Sequence, residues 1–522
     1  MTINAIYPMP HSEVVENRWV SPLYIAIYFA FSKLLIHLLT NNQYGYFRDE
    51  LYYIACGEHL DWGYVDHAPM VAWLVRLSRT LFGDSLFALR IFPAVAGALK
   101  VLLTGLIARE LGGRRFAVML SCLCVLVGGS LAIDSFFSMN AFEPLFWMGG
   151  AYFIILAIKR NEPRFFLWFG LLAGLGLENK HSMLFFGFGI FVGLLLTHSR
   201  RFFASRWLWV GGALALALFL PNIIWEYRHD WATLELLHNV QKSGKNVVLS
   251  PLNFVAQQIF ILHPLTLPVW LAGLWYFLFD RGGRHYRLLG ITYLVVLVMM
   301  VILKGKNYYL LPIYPMLFAG GGVWWEKLLQ GKSHVTWLKV VYPVLLCVTG
   351  AAFAPMAAPL LPVETYLRYQ HALGFEPPKT EVGHKGPLPQ HFGDRFGWPE
   401  MVETVARIYN NLPPDERAKT AIYANNYGEA GAIDFFGPRY GLPKAISPHQ
   451  SYYLWGLRDY TGDELILLQS KRADAERSCN SVEEVGTVGH PLSMTEEHYT
   501  IFICRGLKQP LRELWPRLKH WN

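Results

Sequence analysis

Residues 21–40 read SPLYIAIYFAFSKLLIHLLT, and residues 46–53, just beyond, read YFRDELYY. The first stretch is an apolar run of the ~20 residues a helix needs to cross a bilayer. The second places two adjacent acids, Asp49 and Glu50, directly after it. An apolar run closed by ionisable groups recurs along the chain, and this pattern decides the fold class. Such runs fall near 21–40, 86–108, 116–133, 141–158, 165–178, 183–197, 207–226, 252–279, 288–303, 308–329 and 339–358. They predict a polytopic α-helical membrane protein of about 11 transmembrane helices.

Composition agrees. The 522 residues are 53% hydrophobic and 16% charged, whereas a soluble domain carries about a quarter charged residues. Aromatics make up 15%, with 18 Trp and 27 Tyr, which suits rings lying at two membrane interfaces. Disorder, a secreted disulfide scaffold and a coiled coil are excluded. The net charge of +8 is explained by where the cations lie. Alternate loops hold Arg109, Arg114 and Arg115, then Lys159, Arg160 and Arg164, then Arg200, Arg201 and Arg206. Arg281, Arg284, Arg287, Lys327 and Lys332 continue the series. This positive-inside bias sets the N-terminus in the cytoplasm and everything after residue 359 outside it, with no need for a nucleic-acid partner.

Four segments follow. Residues 1–20 lack the basic start and cleavage site of a signal peptide and read as a cytoplasmic N-terminus. Residues 21–358 form the membrane domain, with a first outer loop at 41–85. Pro355, Pro359, Pro362, Pro377, Pro378, Pro387 and Pro389 mark a linker over 359–395. Residues 396–522 read as a small extracytoplasmic α/β domain, with a helix over 398–411 and strands at 420–423, 465–468 and 499–504. Cys479 and Cys504 are disulfide candidates there if the compartment is oxidising. The other cysteines fall in or beside apolar runs and form no CxxC pair.

Ionisable clusters gather on the outer side of this topology. Asp49 and Glu50 fit a helix N-terminus, and equally a general base beside an acceptor hydroxyl; their ~100° separation lets at most one face a given substrate. Asp66 and His67 offer an oxygen and an imidazole, half of a divalent-metal or phosphate site, or a turn before the helix that Pro69 starts. Asp134 lies at the next outer edge, and Glu143, followed by Pro144, opens the fourth span. Lys180 interrupts two apolar runs. Lys304, Lys306, Tyr308 and Tyr309 either snorkel to the interface or hold a lipid-linked phosphate. The stretch from Trp225 to Trp231 reads as an interfacial belt. The span centres read as almost free of charge, which favours an interface enzyme over a transporter with polar groups at mid-bilayer.

At these residues the sequence resembles the bacterial relatives of the protein O-mannosyltransferases. These GT-C glycosyltransferases include the lipid A aminoarabinose transferase and the rhizobial galacturonosyltransferases. The resemblance runs over most of residues 20–330. It is carried by Arg48-Asp49-Glu50, by Asp66-His67-Ala68-Pro69, by the stretch from Ser138 to Trp147, by Gly174 to Lys180, and by Lys306 to Pro315. The tail motif from Asn426 to Ala432 resembles the soluble domain of one bacterial branch. The resemblance implies a GT-C-like fold in a bacterial plasma membrane and a polyprenyl-phosphate-linked sugar as donor. The acceptor would be a hydroxyl of a glycolipid, polysaccharide or protein. Asp49 matches the acid of the family's acidic pair and becomes the candidate base. Glu143 stands where relatives usually carry Asp. Asp66 matches a loop carboxylate that can bind metal, and His67 replaces the Lys that follows it in the lipid A enzyme. Lys180, Lys306 and Tyr309 match positions near the donor head group. Two rival readings are a lipid or glycan transporter and a non-catalytic envelope assembly protein.

Overall fold

The computed structural model describes residues 20–374, 376 and 385–522. The N-terminal reading up to Trp19, and the part of the linker carried by Pro377 and Pro378, lie outside the described residues.

The protein is a mostly helical multi-span membrane protein with a small C-terminal mixed sheet. Six helices among the described residues are long and apolar enough to cross a bilayer: Pro22–Thr40 (α1), Leu86–Glu110, Met139–Arg160, Arg206–Arg228, Arg284–Ile302 and Ser333–Met356. Two bent pairs raise this to eight: Met183–Leu195 with His198–Ala204, and Pro251–Leu262 with Pro264–Leu278. The expected runs are helical, but several are broken, so six to eight candidate spans replace about eleven. Gly128, at φ +73°, stops the run of 116–133 after Leu126. His263, at φ +81° and followed by Pro264, bends 252–279 by 98°. Helices meet closely where side chains vanish: a Cβ on Gly170 would enter the backbone of Gly211, and one on Gly273 that of Leu317.

Between α1 and the Leu86–Glu110 span lie two short helices, Arg48–Glu58 (α2) and Met70–Phe82 (α3). The C-terminal sheet has the order β1-β2-β4-β3, with β1 Thr420–Tyr423, β2 Glu464–Leu467, β3 Cys479–Val488 and β4 Tyr499–Leu507. β1 and β2 are parallel, and β4 runs antiparallel to both neighbours. The expected strands are present. β3 was not expected, because it is an edge strand whose Asn480, Glu483 and Glu484 face solvent and dilute its apolar signal. The Cys479–Cys504 disulfide ties it to β4.

One face of this sheet buries a cluster of its own, with Tyr423, Leu465, Phe502 and Trp515, and the other face is shared with the first long loop. Leu51, Ile54 and Tyr52 of α2 and Val71 and Val75 of α3 share one apolar cluster with Trp398, Val402, Ile433, Ile466 and Ile503. The stretch read as a linker holds the helices Val363–Ala372 and Gln390–Gly393 and buries Tyr366, Leu388 and Phe392. The C-terminal region is therefore packed directly onto the first long loop.

The expectation of nearly charge-free span centres is overturned. Lys33 of α1, Lys100 of the Ile91–Glu110 helix and Asp134 are buried together with His37. Lys33 pairs with Asp134 at 2.8 Å and donates to Ser130 Oγ at 2.5 Å, while Lys100 pairs with the other Asp134 oxygen. Gly97 leaves the room, since a Cβ there would lie 2.8 Å from Asp134 Oδ2. Asp134 thus neutralises two lysines buried in candidate spans.

Candidate functional site

The two acids at the start of α2 divide their work. Glu50, third in the helix, accepts from the Phe47 backbone N–H at 2.8 Å, capping the helix start. Arg90 grips both its oxygens, at 2.9 and 2.7 Å, and the Phe137 N–H donates to Oε1 at 2.7 Å. The Glu50 and Arg90 side chains are fully buried. Glu50, nominated beside Asp49 as catalytic, is therefore consumed by structure. Asp49 is different. Its side chain is 30% exposed, Arg48 Nε stands 4.0 Å away, and Tyr427 of the C-terminal region donates to Oδ1 at 2.8 Å.

The Asp66–His67 pair sits across an aromatic group from Asp49. Tyr52 donates to Asp66 Oδ1 at 2.8 Å and its ring packs on Tyr427 at 4.7 Å. Burial pushes the Asp66 carboxyl up, and burial pushes His67 down, so the imidazole is neutral at pH 7. His67 Nδ1 donates to its neighbour's carbonyl, Ala68 O, at 2.9 Å, and Nε2 faces the Cys56 thiol at 3.7 Å. Both ring nitrogens of His67 are thus turned to protein groups. Among the described residues no group of three or more His, Cys, Asp or Glu side chains is placed to hold a metal ion.

Glu143 and Lys180 form a second centre. The Met139–Arg160 helix begins four residues before Glu143, so Pro144 lies inside it rather than in its first turn. Lys180 binds Glu143 at 2.9 Å and Asn140 Oδ1 at 2.8 Å, with its ammonium 4.4 Å from the Tyr309 ring centroid. Ser182 donates to the other Glu143 oxygen. Tyr308 and Tyr309 meet edge to face in the 3-10 turn Asn307–Ile313, directly after Lys306. Lys304 is exposed, at φ +54°, and joins neither centre through an ion pair.

Two bridges link the centres. Phe137, bonded to Glu50, packs on Phe142 at 5.4 Å, next to Glu143. His181, beside Lys180, bonds Asn222 at 3.0 Å, and Asn222 donates to Trp62 O at 2.8 Å in the loop that leads to Asp66. Trp225, read as part of an interfacial belt, is buried and donates to Asp61 at 2.9 Å. It lines a cavity of about 110 Å³ with Asp61, Tyr64, His229, Ser451 and Trp455.

Sequence reasoning missed the C-terminal contribution. Arg48 is held by Glu496 at 2.8 Å and Asp394 at 3.7 Å, and the Ser451 and Tyr52 hydroxyls meet at 2.8 Å. These partners lie hundreds of positions from α2. The one available signal was the Asn426-Tyr427-Gly428-Glu429 motif, which carried no assigned role.

Comparison with known proteins agrees with this architecture. Residues 66–225 match the family model for dolichyl-phosphate-mannose-protein mannosyltransferases. The chain is 25% identical over 256 residues to the lipid A galacturonosyltransferase RgtD of Rhizobium johnstonii. That match covers 48% of this chain and 53% of RgtD, so it spans about half of the relative's length. ArnT of Cupriavidus metallidurans, solved bound to undecaprenyl phosphate, superimposes with a TM-score of 0.58 at 14% identity, covering 91% of this chain and 97% of that one. The oligosaccharyltransferase of Archaeoglobus fulgidus, in complex with Zn and sulfate, gives 0.50 at 13% identity, over 86% of this chain and 68% of that one. At such identities the structural likeness speaks for the fold. The protein is a multi-span membrane protein with an ArnT-like fold. The matched residues 66–225 take in the motifs at 66–69, 138–147 and 174–180 on which the resemblance rests.

Proposed function

We propose that the protein transfers one sugar from a polyprenyl-phosphate-linked donor to a hydroxyl acceptor at the extracytoplasmic face of a bacterial plasma membrane. The observation that carries this reading is the division between the two acids: Glu50 is spent on Arg90 and the helix cap, while Asp49 keeps an oxygen free of hydrogen bonds among the described residues. The undecaprenyl phosphate bound to ArnT and the dolichyl-phosphate-mannose named in the matching family model support a lipid-linked donor.

In the proposed step Asp49 takes the proton of the acceptor hydroxyl as its oxygen attacks the anomeric carbon. The bond from that carbon to the phosphate oxygen breaks on the opposite face, inverting configuration. Polyprenyl phosphate departs as an anion, so charge stabilisation matters more than protonation. Lys180 supplies that charge, oriented by Glu143 and Asn140, with Tyr309 beside it and Lys306 at the start of the turn that carries Tyr309. Incubating the purified protein with a radiolabelled polyprenyl-phosphate sugar and an envelope extract tests this. Asp49→Asn should lower transfer by about 10²- to 10⁴-fold while donor binding persists. Near-normal turnover would remove Asp49 from the mechanism.

The buried Lys33–Asp134–Lys100 cluster is the kind of feature a transporter displays. Its charges, however, are paired with one another and sealed from solvent. Substrate flux without covalent change would favour the transporter.

A further inference from the structure

The C-terminal region reaches Asp49 with a single side chain, and several features hold that side chain in place. Tyr427 opens the helix Tyr427–Phe436, whose start is closed by a reciprocal cap: the Glu429 N–H donates to Asn426 Oδ1 at 3.0 Å, and Glu429 Oε2 accepts from the Asn426 N–H at 3.3 Å. Its ring lies between Tyr52, at 4.7 Å, and His449, at 4.9 Å and 21°. His449 is buried and kept neutral, and its Nδ1 accepts from the Tyr427 N–H at 3.2 Å. Glycines bring the helix this close. A Cβ on Gly428 would lie 2.5 Å from Arg48 Cγ, and one on Gly431 2.8 Å from the Leu51 carbonyl carbon.

We infer that Tyr427 is a positioning residue for the transfer step, holding Asp49 through Oδ1 so that Oδ2 meets the acceptor hydroxyl. The inference rests on the reading of Asp49 as base. The geometry leaves Asp49 Oδ2 without a hydrogen bond among the described residues. A phenol that donates to a carboxylate favours its ionised form and fixes its plane. Burial and Asp49 itself push the Tyr427 hydroxyl well above its usual range, so it remains a donor throughout the working pH. The C-terminal region thereby becomes part of the reaction centre.

The test is Tyr427→Phe in the full chain, which keeps both ring contacts and removes only the hydroxyl. Transfer from the labelled donor is followed against pH. The expected result is a fall in kcat of about 10- to 100-fold, an unchanged KM for the donor, and an acidic limb of kcat displaced to higher pH. Arg48, Tyr53, Asp66, His67 and Asp394, the other ionisable groups facing Asp49, are the same in both proteins, so the displacement reports the lost hydroxyl. An unmoved acidic limb, with or without a fall in kcat, overturns the inference. If Tyr427→Phe does not accumulate, Gly428→Ala, which forces the helix away from Arg48, should displace the limb in the same sense, and an unmoved limb overturns the inference there too. Asp49→Asn run alongside separates the two claims. Activity retained in Asp49→Asn overturns the base reading and this inference with it. Loss there beside a normal Tyr427→Phe overturns the positioning role alone.

Discussion

Two groups of ionisable side chains, both low in solvent exposure, behave in opposite ways. In the helical bundle Asp134 meets Lys33 and Lys100, and no side chain of the three is more than 1% exposed. At the start of α2 Asp49 is 30% exposed and, among the described residues, holds one side-chain hydrogen bond, from a tyrosine brought in by the C-terminal region. A sealed and paired set of charges can lock helices together but cannot exchange protons with a substrate. A half-open carboxylate contributes little to stability and is free to do chemistry. Burial alone therefore does not identify a site; unspent bonding capacity at an opening does.

The comparison breaks first at Asp134. Asp134→Asn keeps the shape but leaves two buried ammonium groups without a counter-charge, and loss of a buried ionic partner costs about 3–5 kcal/mol. Thermal unfolding in detergent should show a markedly less stable protein, and an unchanged midpoint would mean the lysines are not sealed. Next in size, removing the Cys479–Cys504 bridge frees a loop with a sequence separation of 25 residues and should destabilise the C-terminal region by about 3 kcal/mol. The double Ser variant would then lose protease resistance there before the bundle unfolds.

The smallest effect is on pH. Burial pushes Asp394 up to about 7, and burial does the same for Glu429. Each binds a proton in the folded state that the unfolded chain releases near pH 4. Their contribution to stability is complete below that value and is lost as pH rises through about 7. Protection of the C-terminal region against proteolysis should therefore be greater at pH 5 than at pH 8, with a flatter profile in Asp394→Asn.

Much of this arrangement was legible in the chain. The apolar runs marked the helices, the disulfide followed from two cysteines in one polar region, and the ordered motifs pointed to the family. Three things were hidden, each for a physical reason. Lys33 and Lys100 do not dent the hydropathy of a span enough to show, and their shared partner lies near 134. Breaks at Gly128 and His263 depend on backbone angles that composition does not encode. Glu50 and Asp49 are neighbours of the same chemical type, and only Arg90, forty positions on, decides which one is spent.

The central claim is that Asp49 serves chemistry and not the fold. The most direct measurement is transfer activity and thermal stability on the same preparation of Asp49→Asn. The expected result is an unfolding midpoint equal to that of the parent with transfer from the polyprenyl-phosphate sugar lowered by about 10²- to 10⁴-fold. Retained transfer, or a collapse in stability as severe as that of Asp134→Asn, would contradict it.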